Sequence, residues 1–273
     1  MADSDSTKTR SGDVVRLAMW SGPRNLSTAL MRSFENREDT VVVDEPFYAH
    51  YLATTGLEHP MRDEVIRSQP TDWREVVARL LSPLVPGARI QFQKQMSHHL
   101  LPDMGRDWFD AVTHAFLIRD PGPMLASLAA KVETCTLRDT GLPQQVEIFD
   151  VVVAGTGRVP AVIDSADLLA APEAVLRALC RRLDLPFSER MLHWPPGPRA
   201  SDGVWARHWY DRVERTTGFE TPVRSAAPGD VRLPSDLARV ESQCRPLYEK
   251  LHRHRLSVGA GPAVELKTAR PVH

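Results

Sequence analysis

The chain has 273 residues, 42% of them hydrophobic, and its 34 basic and 35 acidic side chains leave a net charge of −1. That length supports one substantial α/β core or two small ones, and the near-neutral balance supplies no basic field for nucleic acid. No apolar run approaches the roughly 18 residues of a membrane helix, and Cys135, Cys180 and Cys244 form an odd, scattered set with no metal spacing, read as reduced thiols. Residues 1–12 are polar, lack an apolar signal core and read as a disordered leader of a cytoplasmic protein. Val14 to Met19 is the first strand and Asn25 to Glu35 its helix. Thr40 to Val43 is a second strand ending in Asp44-Glu45-Pro46. Trp73 to Leu84 carries helical spacing of Trp73, Val76, Val77, Leu80, Leu81 and Leu84. Arg89 to Lys94 and Thr113 to Ile118 are further strands, and a helix runs from Pro123 to about Lys131. Ala161 to Ile163 is a fifth strand, and Pro172 to Leu183 is an amphipathic helix opening with proline and glutamate. Residues 258–273 read as a flexible tail, which leaves a single domain over 13–257.

Strand–helix alternation implies a doubly wound α/β fold, a central parallel sheet flanked by helices. Ligands of such sheets bind outside the carboxyl ends of the strands. That rule gathers Ser21 to Thr28, Asp44-Glu45, Lys94 to His99 and Arg119-Asp120 on one side. In the first of these, Ser21-Gly22-Pro23-Arg24-Asn25-Leu26-Ser27-Thr28, a strand breaks into a tight turn and a helix opens with hydroxyls and an arginine. Free helix N–H groups and the positive dipole end make such a turn a cradle for an anion. The alternative is an ordinary helix start capped by Asn25 or Ser27. The triphosphate-binding pattern Gly-x-x-x-x-Gly-Lys-[Ser/Thr] is absent. Only five lysines occur, Lys8, Lys94, Lys131, Lys250 and Lys267, so phosphate contacts fall to arginine, whose fork matches phosphate oxygens in pairs.

A second constellation, Phe116-Leu-Ile-Arg119-Asp-Pro-Gly-Pro-Met-Leu-Ala-Ser127, places an arginine at a strand end and a serine eight residues on. With it the chain resembles the sulfotransferases that use PAPS, 3′-phosphoadenosine 5′-phosphosulfate. The resemblance runs from about Val14 to Phe187 and includes a third echo, Val162-Ile-Asp-Ser-Ala-Asp-Leu followed by Leu-Asp-Leu-Pro-Phe187. It implies a P-loop-like, nucleotide-hydrolase-type fold, with the loop from Ser21 to Thr28 at the phosphosulfate and Arg119 and Ser127 at the 3′-phosphate. Two family features are missing. Ala29 stands where a tryptophan for adenine often lies, and Ser165 replaces a tyrosine. Trp205, in the later loop, is the candidate for a substitute stacking face.

Gln93-Lys-Gln-Met-Ser-His-His-Leu-Leu-Pro102 is similar to the family's Lys-x-His-Leu-Pro segment, differently spaced. The resemblance implies Lys94 at the transferring group and His98 or His99 as general base, a role that suits imidazole's near-neutral pKa. Glu45, read as adjacent in the sheet to the anion-binding turn, is the rival base. The later loop, Gly197 to Arg207, resembles the family's Arg- and Gly-containing loop over the cofactor, which implies Arg199 and Arg207 at the 3′-phosphate; the alternative is a Trp-rich packing loop. Phe47, Tyr48, His50, Tyr51 and the stretch Trp205 to Trp209 would wall a small acceptor.

These readings describe a PAPS-dependent sulfotransferase acting on a hydroxyl or amine of a small molecule, with no resident metal and no nucleic-acid or membrane partner. The alternatives are a phosphotransferase of the same fold, with Asp44 and Asp120 holding Mg²⁺, and a non-catalytic nucleotide-binding protein.

Overall fold

A computed structural model describes residues 14–132, 134–220 and 233–257. The leader and tail read from the sequence lie outside these. In chain order the elements are β1 (Val15–Ser21), α1 (Ser27–Glu35), β2 (Thr40–Asp44), α2 (Tyr48–Thr55), α3 (Arg62–Ser68), α4 (Trp73–Leu80) and β3 (Ile90–Met96). Then follow β4 (Thr113–Ile118), α5 (Pro121–Ala129), α6 (Leu142–Thr156), β5 (Ala161–Asp164), α7 (Ser165–Ala170), α8 (Pro172–Arg182), α9 (Ala206–Trp209) and α10 (Ser235–His252).

The five strands form one parallel sheet in the order β2-β3-β1-β4-β5. Helices cover both faces, which is why β1 and β4 read as continuous apolar runs rather than alternating ones. In β1, Leu17 and Met19 point into a core shared with α1 and α8, including Leu30, Phe34, Leu176 and Leu179. Ala18 and Trp20 point into the opposite core, with Phe47, Trp108, Phe116, Leu125 and Phe149. The chain steps from β1 out to β2 and β3, then crosses back to β4. The turn after β1 therefore sits where the winding reverses, the position at which such sheets bind ligands.

Two sequence readings change. Strand β3 lies between β2 and β1, so Glu45 is not next to the β1 turn in the sheet; it reaches the site across β3. Strand β3 also continues to Met96, which puts Lys94 inside the strand rather than at its last residue. Helices α2, α3, α6, α7, α9 and α10 are additions. Their signals are weak: α2 is rich in aromatics with no side-chain cap, α6 starts at Gly141-Leu142-Pro143, and α10 carries Pro246 in its interior.

Candidate active site

The turn after β1 is built under backbone strain. Arg24 (φ 60°) and Leu26 (φ 68°) both adopt the left-handed conformation, at roughly 1–2 kcal/mol each for residues with a Cβ. Such strain persists where the surroundings enforce it. Behind the turn, a Cβ on Gly22 would lie 2.3 Å from the carbonyl oxygen of Thr140, so only glycine fits. Inside it, the buried Asn25 amide, oriented by its neighbours, accepts from Gly22 N–H at 3.2 Å and donates to the Pro23 carbonyl at 3.0 Å. Ser165 Oγ, bonded to the carbonyls of Asn25 (2.9 Å) and Ile118 (2.8 Å), ties the turn to the ends of β4 and β5. That contact gives the serine standing in place of tyrosine a bracing role.

Helix α1 then begins with no side-chain cap. Neither Asn25 nor Ser27 fills that role, and the hydroxyls of Ser27 and Thr28 have no hydrogen-bond partner among the described residues. The first-turn N–H groups are left for a ligand. Arg24 Nε donates to Ser127 Oγ at 3.0 Å, and Arg119 donates to the Arg24 carbonyl at 2.5 Å. The two anion sites read separately from the sequence thus meet through direct hydrogen bonds.

Arg212, from the chain after α9, joins them. Burial first, then the charges of Arg24 and Arg212, pushes the Arg119 guanidinium below its usual value. Burial also lowers Arg24, with Asp211 opposing and Arg212 adding to the shift. None of the three makes an ion pair among the described residues. Three guanidiniums thus gather near an uncapped helix start, a concentration of positive charge of the kind that suits an anion.

On the β3 side lies a buried tetrad. Lys94 Nζ donates to Asp44 Oδ1 (2.9 Å), Glu45 Oε1 (2.6 Å) and the Tyr210 hydroxyl (2.5 Å), which uses all three ammonium hydrogens. Tyr210 donates in turn to Asp44 at 2.8 Å, and Gly203 N–H donates to Asp44 Oδ2 at 3.1 Å. Burial works against the Lys94 charge, but Asp44 and Glu45 outweigh it and hold the ammonium well above its usual value. Glu45 goes the other way: burial, only partly opposed by Lys94 and reinforced by Asp44, raises its carboxyl. Glu45 also sits at a left-handed φ of 39°. A carboxyl shifted upward at the wall of a cavity is a candidate general base.

His98 and His99 follow β3 in a 3-10 turn. Burial pushes His98 down to about 3 and His99 well below its usual range. Both rings are neutral, and the Nδ1 atoms of both are buried without a partner. Tyr48 and Tyr51 stack on His99 with centroids at 4.6 and 4.8 Å.

One cavity of about 600 Å³ joins these parts. Pro23 to Thr28, Arg119, Ser127 and Arg212 line one end; Glu45, Lys94, Tyr48, Tyr51, His98 and His99 line the other. Several residues expected at the site lie elsewhere. Ser21 and Gly22 lie behind the loop rather than at the cavity wall. Trp205 is 1% exposed, packed edge-on to Tyr48 with its indole N–H on the Tyr210 hydroxyl. No face of it is free for adenine. Arg207 pairs with Glu64 at the exposed surface, and Arg199 faces Glu35 on α1; neither reaches the cavity. Phe47 is core, and His50 Nδ1 is bonded to the Thr71 carbonyl. Asp44 is spent in the tetrad, and Asp120 caps α5 and pairs with Arg245. Sequence reading missed Tyr210 and Arg212. Both follow the tryptophan-rich stretch by a few residues, and their charge and hydroxyl type are the only signals they carry.

Among the described residues no helix is long and apolar enough to cross a membrane. Residues 15–241 match a family model described as "Sulfotransferase domain". Two Arabidopsis thaliana proteins are similar over most of the chain. Branched-chain-amino-acid aminotransferase-like protein 2 is 37% identical over 86% of this chain and 41% of its own length. Branched-chain-amino-acid aminotransferase-like protein 1 is 40% identical over 74% of this chain and 36% of its own. The chain therefore spans about two-fifths of the length of these curated relatives. Two solved structures share the fold. The sulfotransferase domain from the curacin biosynthetic pathway superposes with a TM-score of 0.53 at 15% identity, covering 85% of this chain and 98% of its own. A sulfotransferase from Alicyclobacillus acidocaldarius gives 0.53 at 13% identity, covering 89% and 98%. The chain belongs to the sulfotransferase domain family.

Proposed function

We propose that this sulfotransferase-family chain moves a sulfuryl group from PAPS to the hydroxyl of a small acceptor. The observation that carries the reading is the trio Arg24, Arg119 and Arg212, crowded without carboxylate partners round the uncapped start of α1. A nucleotide phosphorylated at both 3′ and 5′ positions satisfies that arrangement. The α1 N–H groups, Ser27 and Thr28 take the phosphosulfate end, while Arg119, Ser127 and Arg212 take the 3′-phosphate. Arg24, bonded to Ser127, lies between the two.

PAPS supplies the sulfuryl group; the rest falls to the chain. Glu45 accepts the acceptor's hydroxyl proton as the new S–O bond forms. Its raised affinity for a proton favours Glu45 over His98 and His99, whose burial keeps them neutral but weakly basic. Lys94, with every donor engaged, holds Glu45 in place. As Glu45 gains the proton its hold on Lys94 weakens, freeing one ammonium hydrogen toward the developing charge. Arg24 and the start of α1 stabilise the negative charge on the departing phosphate oxygen. With Asp44 and Asp120 both committed elsewhere, nothing favours the phosphotransferase alternative.

Calorimetric titration with adenosine 3′,5′-bisphosphate tests the reading. Saturable binding that weakens as salt rises is expected. A folded protein that does not bind it overturns the proposal.

A further inference from the structure

The two ends of the cavity differ in charge, and this has a consequence for the acceptor. The nucleotide end gathers Arg24, Arg119 and Arg212. The far end is a box of uncharged rings: Tyr48 and Tyr51 stacked on His99, His98 edge-on to His99 at 4.4 Å, and His59 bonded to the Tyr48 hydroxyl at 2.9 Å. Tyr48 also feels the charge of Glu45, so the box abuts the proposed base. Asp139 and Glu58 line the cavity with these rings; Lys131, a cation that also lines it, pairs with Asp211 at 3.3 Å. One oxygen of Asp139 caps Thr136, at 2.8 Å to its N–H and 2.7 Å to its hydroxyl. The other has no partner among the described residues. The Asp139 charge reaches Tyr51, His59 and His98. Lys94 is neutralised within its tetrad, and Arg138, whose charge also reaches His98, lines a different, outer cavity.

We propose that this end is an acceptor subsite that selects a flat hydroxyl compound bearing a protonated amine and rejects its carboxylate counterpart. The proposal rests on the sulfotransferase reading for which end is which. Aromatic faces attract a flat ring and a cation alike. The Asp139 carboxylate and the negative pole of Glu45 then set the sign of charge that is tolerated.

The test is a matched series of three probes: tyramine, 4-methylphenol and 4-hydroxyphenylacetate. Each is titrated into the full chain with and without adenosine 3′,5′-bisphosphate, so that a failure of nucleotide binding is seen separately. Tyramine should bind about tenfold more tightly than 4-hydroxyphenylacetate, the size of one charge-assisted contact, with 4-methylphenol between them. Asp139→Asn keeps the Thr136 cap. It should shrink the amine-to-carboxylate ratio to about threefold or less while leaving nucleotide affinity unchanged. Glu58→Gln, at an exposed site, gives a second reading of the same ratio. Three results overturn the proposal: equal or tighter binding of the carboxylate, a ratio unmoved by both variants, or no saturation by any probe. Competition between tyramine and the nucleotide would place adenine in the ring box and also overturn it.

Discussion

Replacing Glu45 by glutamine should separate chemistry from stability, because the tetrad distributes its hydrogen bonds unequally. In Glu45→Gln the ammonium of Lys94 keeps Asp44 and Tyr210 at 2.9 and 2.5 Å, and the new amide oxygen accepts in the place of Glu45 Oε1. No charge is left unpaired, so stability should stay within about 1 kcal/mol. Turnover should fall by roughly 10²–10⁴, the contribution of a positioned base. Lys94→Met has the opposite profile. It leaves Asp44 and Glu45 buried without their counter-ion, a loss of about 3–5 kcal/mol, or very roughly 6–20 °C of melting temperature for a chain of this size. A third reading comes from pH. Burial, ahead of the opposing Lys94, raises Glu45 above its ordinary 4.5. Between the unfolded and folded values the native state holds more protons, so stability falls as pH rises through that window. Glu45→Gln removes this dependence and should gain on the parent as pH climbs above 4.5. Product nucleotide released from PAPS with a fixed acceptor measures turnover, and thermal melts measure stability. Full turnover by a folded Glu45→Gln protein would refute the assignment of the base. Destabilisation of that variant equal to Lys94→Met would refute the account of the tetrad.

Arg212→Ala removes an exposed guanidinium with no ion pair, so the melting temperature should not move, while affinity for adenosine 3′,5′-bisphosphate should fall roughly tenfold or more; an unchanged titration would remove Arg212 from the site. Gly22→Ala puts a Cβ 2.3 Å from the Thr140 carbonyl, backbone against backbone, and should abolish nucleotide binding before any loss of overall helix content seen by circular dichroism. His98, pushed down to about 3 by burial, binds fewer protons folded than unfolded, so its contribution is present above pH 6.5 and is lost as pH falls toward 3. By pH 4 that loss is about 3 kcal/mol at 1.36 kcal/mol per unit. A melting curve for His98→Gln that falls as steeply with acid as the parent's would contradict the burial account.

How legible each part was in the sequence follows from the range over which its geometry is determined. The β1 turn was readable because most of its requirements are local: a strand must end in a tight turn and hydroxyls must follow; the approach of the Thr140 carbonyl to Gly22 is long-range and was not legible. Arg119 and Ser127 were readable for a related reason, since a strand end and the helix after it fix their separation. Glu45 was found as a candidate, but its route to the site was misjudged, because strand order is not written in any one segment. The late region failed most. Trp205, Arg207, Tyr210 and Arg212 lie within eight residues of chain, and the single turn of α9 points Trp205 and Tyr210 inward, Arg207 outward and Trp209 and Arg212 toward the cavity. With so short an element, a displacement of one residue exchanges core, surface and site.

That same short element couples the two halves of the site. Asp202 pairs with the buried Arg32 of α1 at 2.6 Å, Gly203 N–H meets Asp44, and Tyr210 closes on Lys94. Helix α1, whose first turn faces the anion, is thus pinned by its second turn to the segment that holds the Lys94–Glu45 pair and carries Arg212. A nucleotide that draws Arg212 inward pulls on the chain between Tyr210 and Arg212, two residues from the hydroxyl that engages Lys94. Nucleotide binding and the protonation state of Glu45 should therefore be linked. Filling the arginine trio adds negative charge at one end of the cavity and raises the proton affinity of Glu45 at the other. The consequence is a measurable proton uptake when adenosine 3′,5′-bisphosphate binds near the pKa of Glu45, seen as a buffer-dependent heat. It should vanish in Glu45→Gln, and its persistence there would show that the two ends act independently.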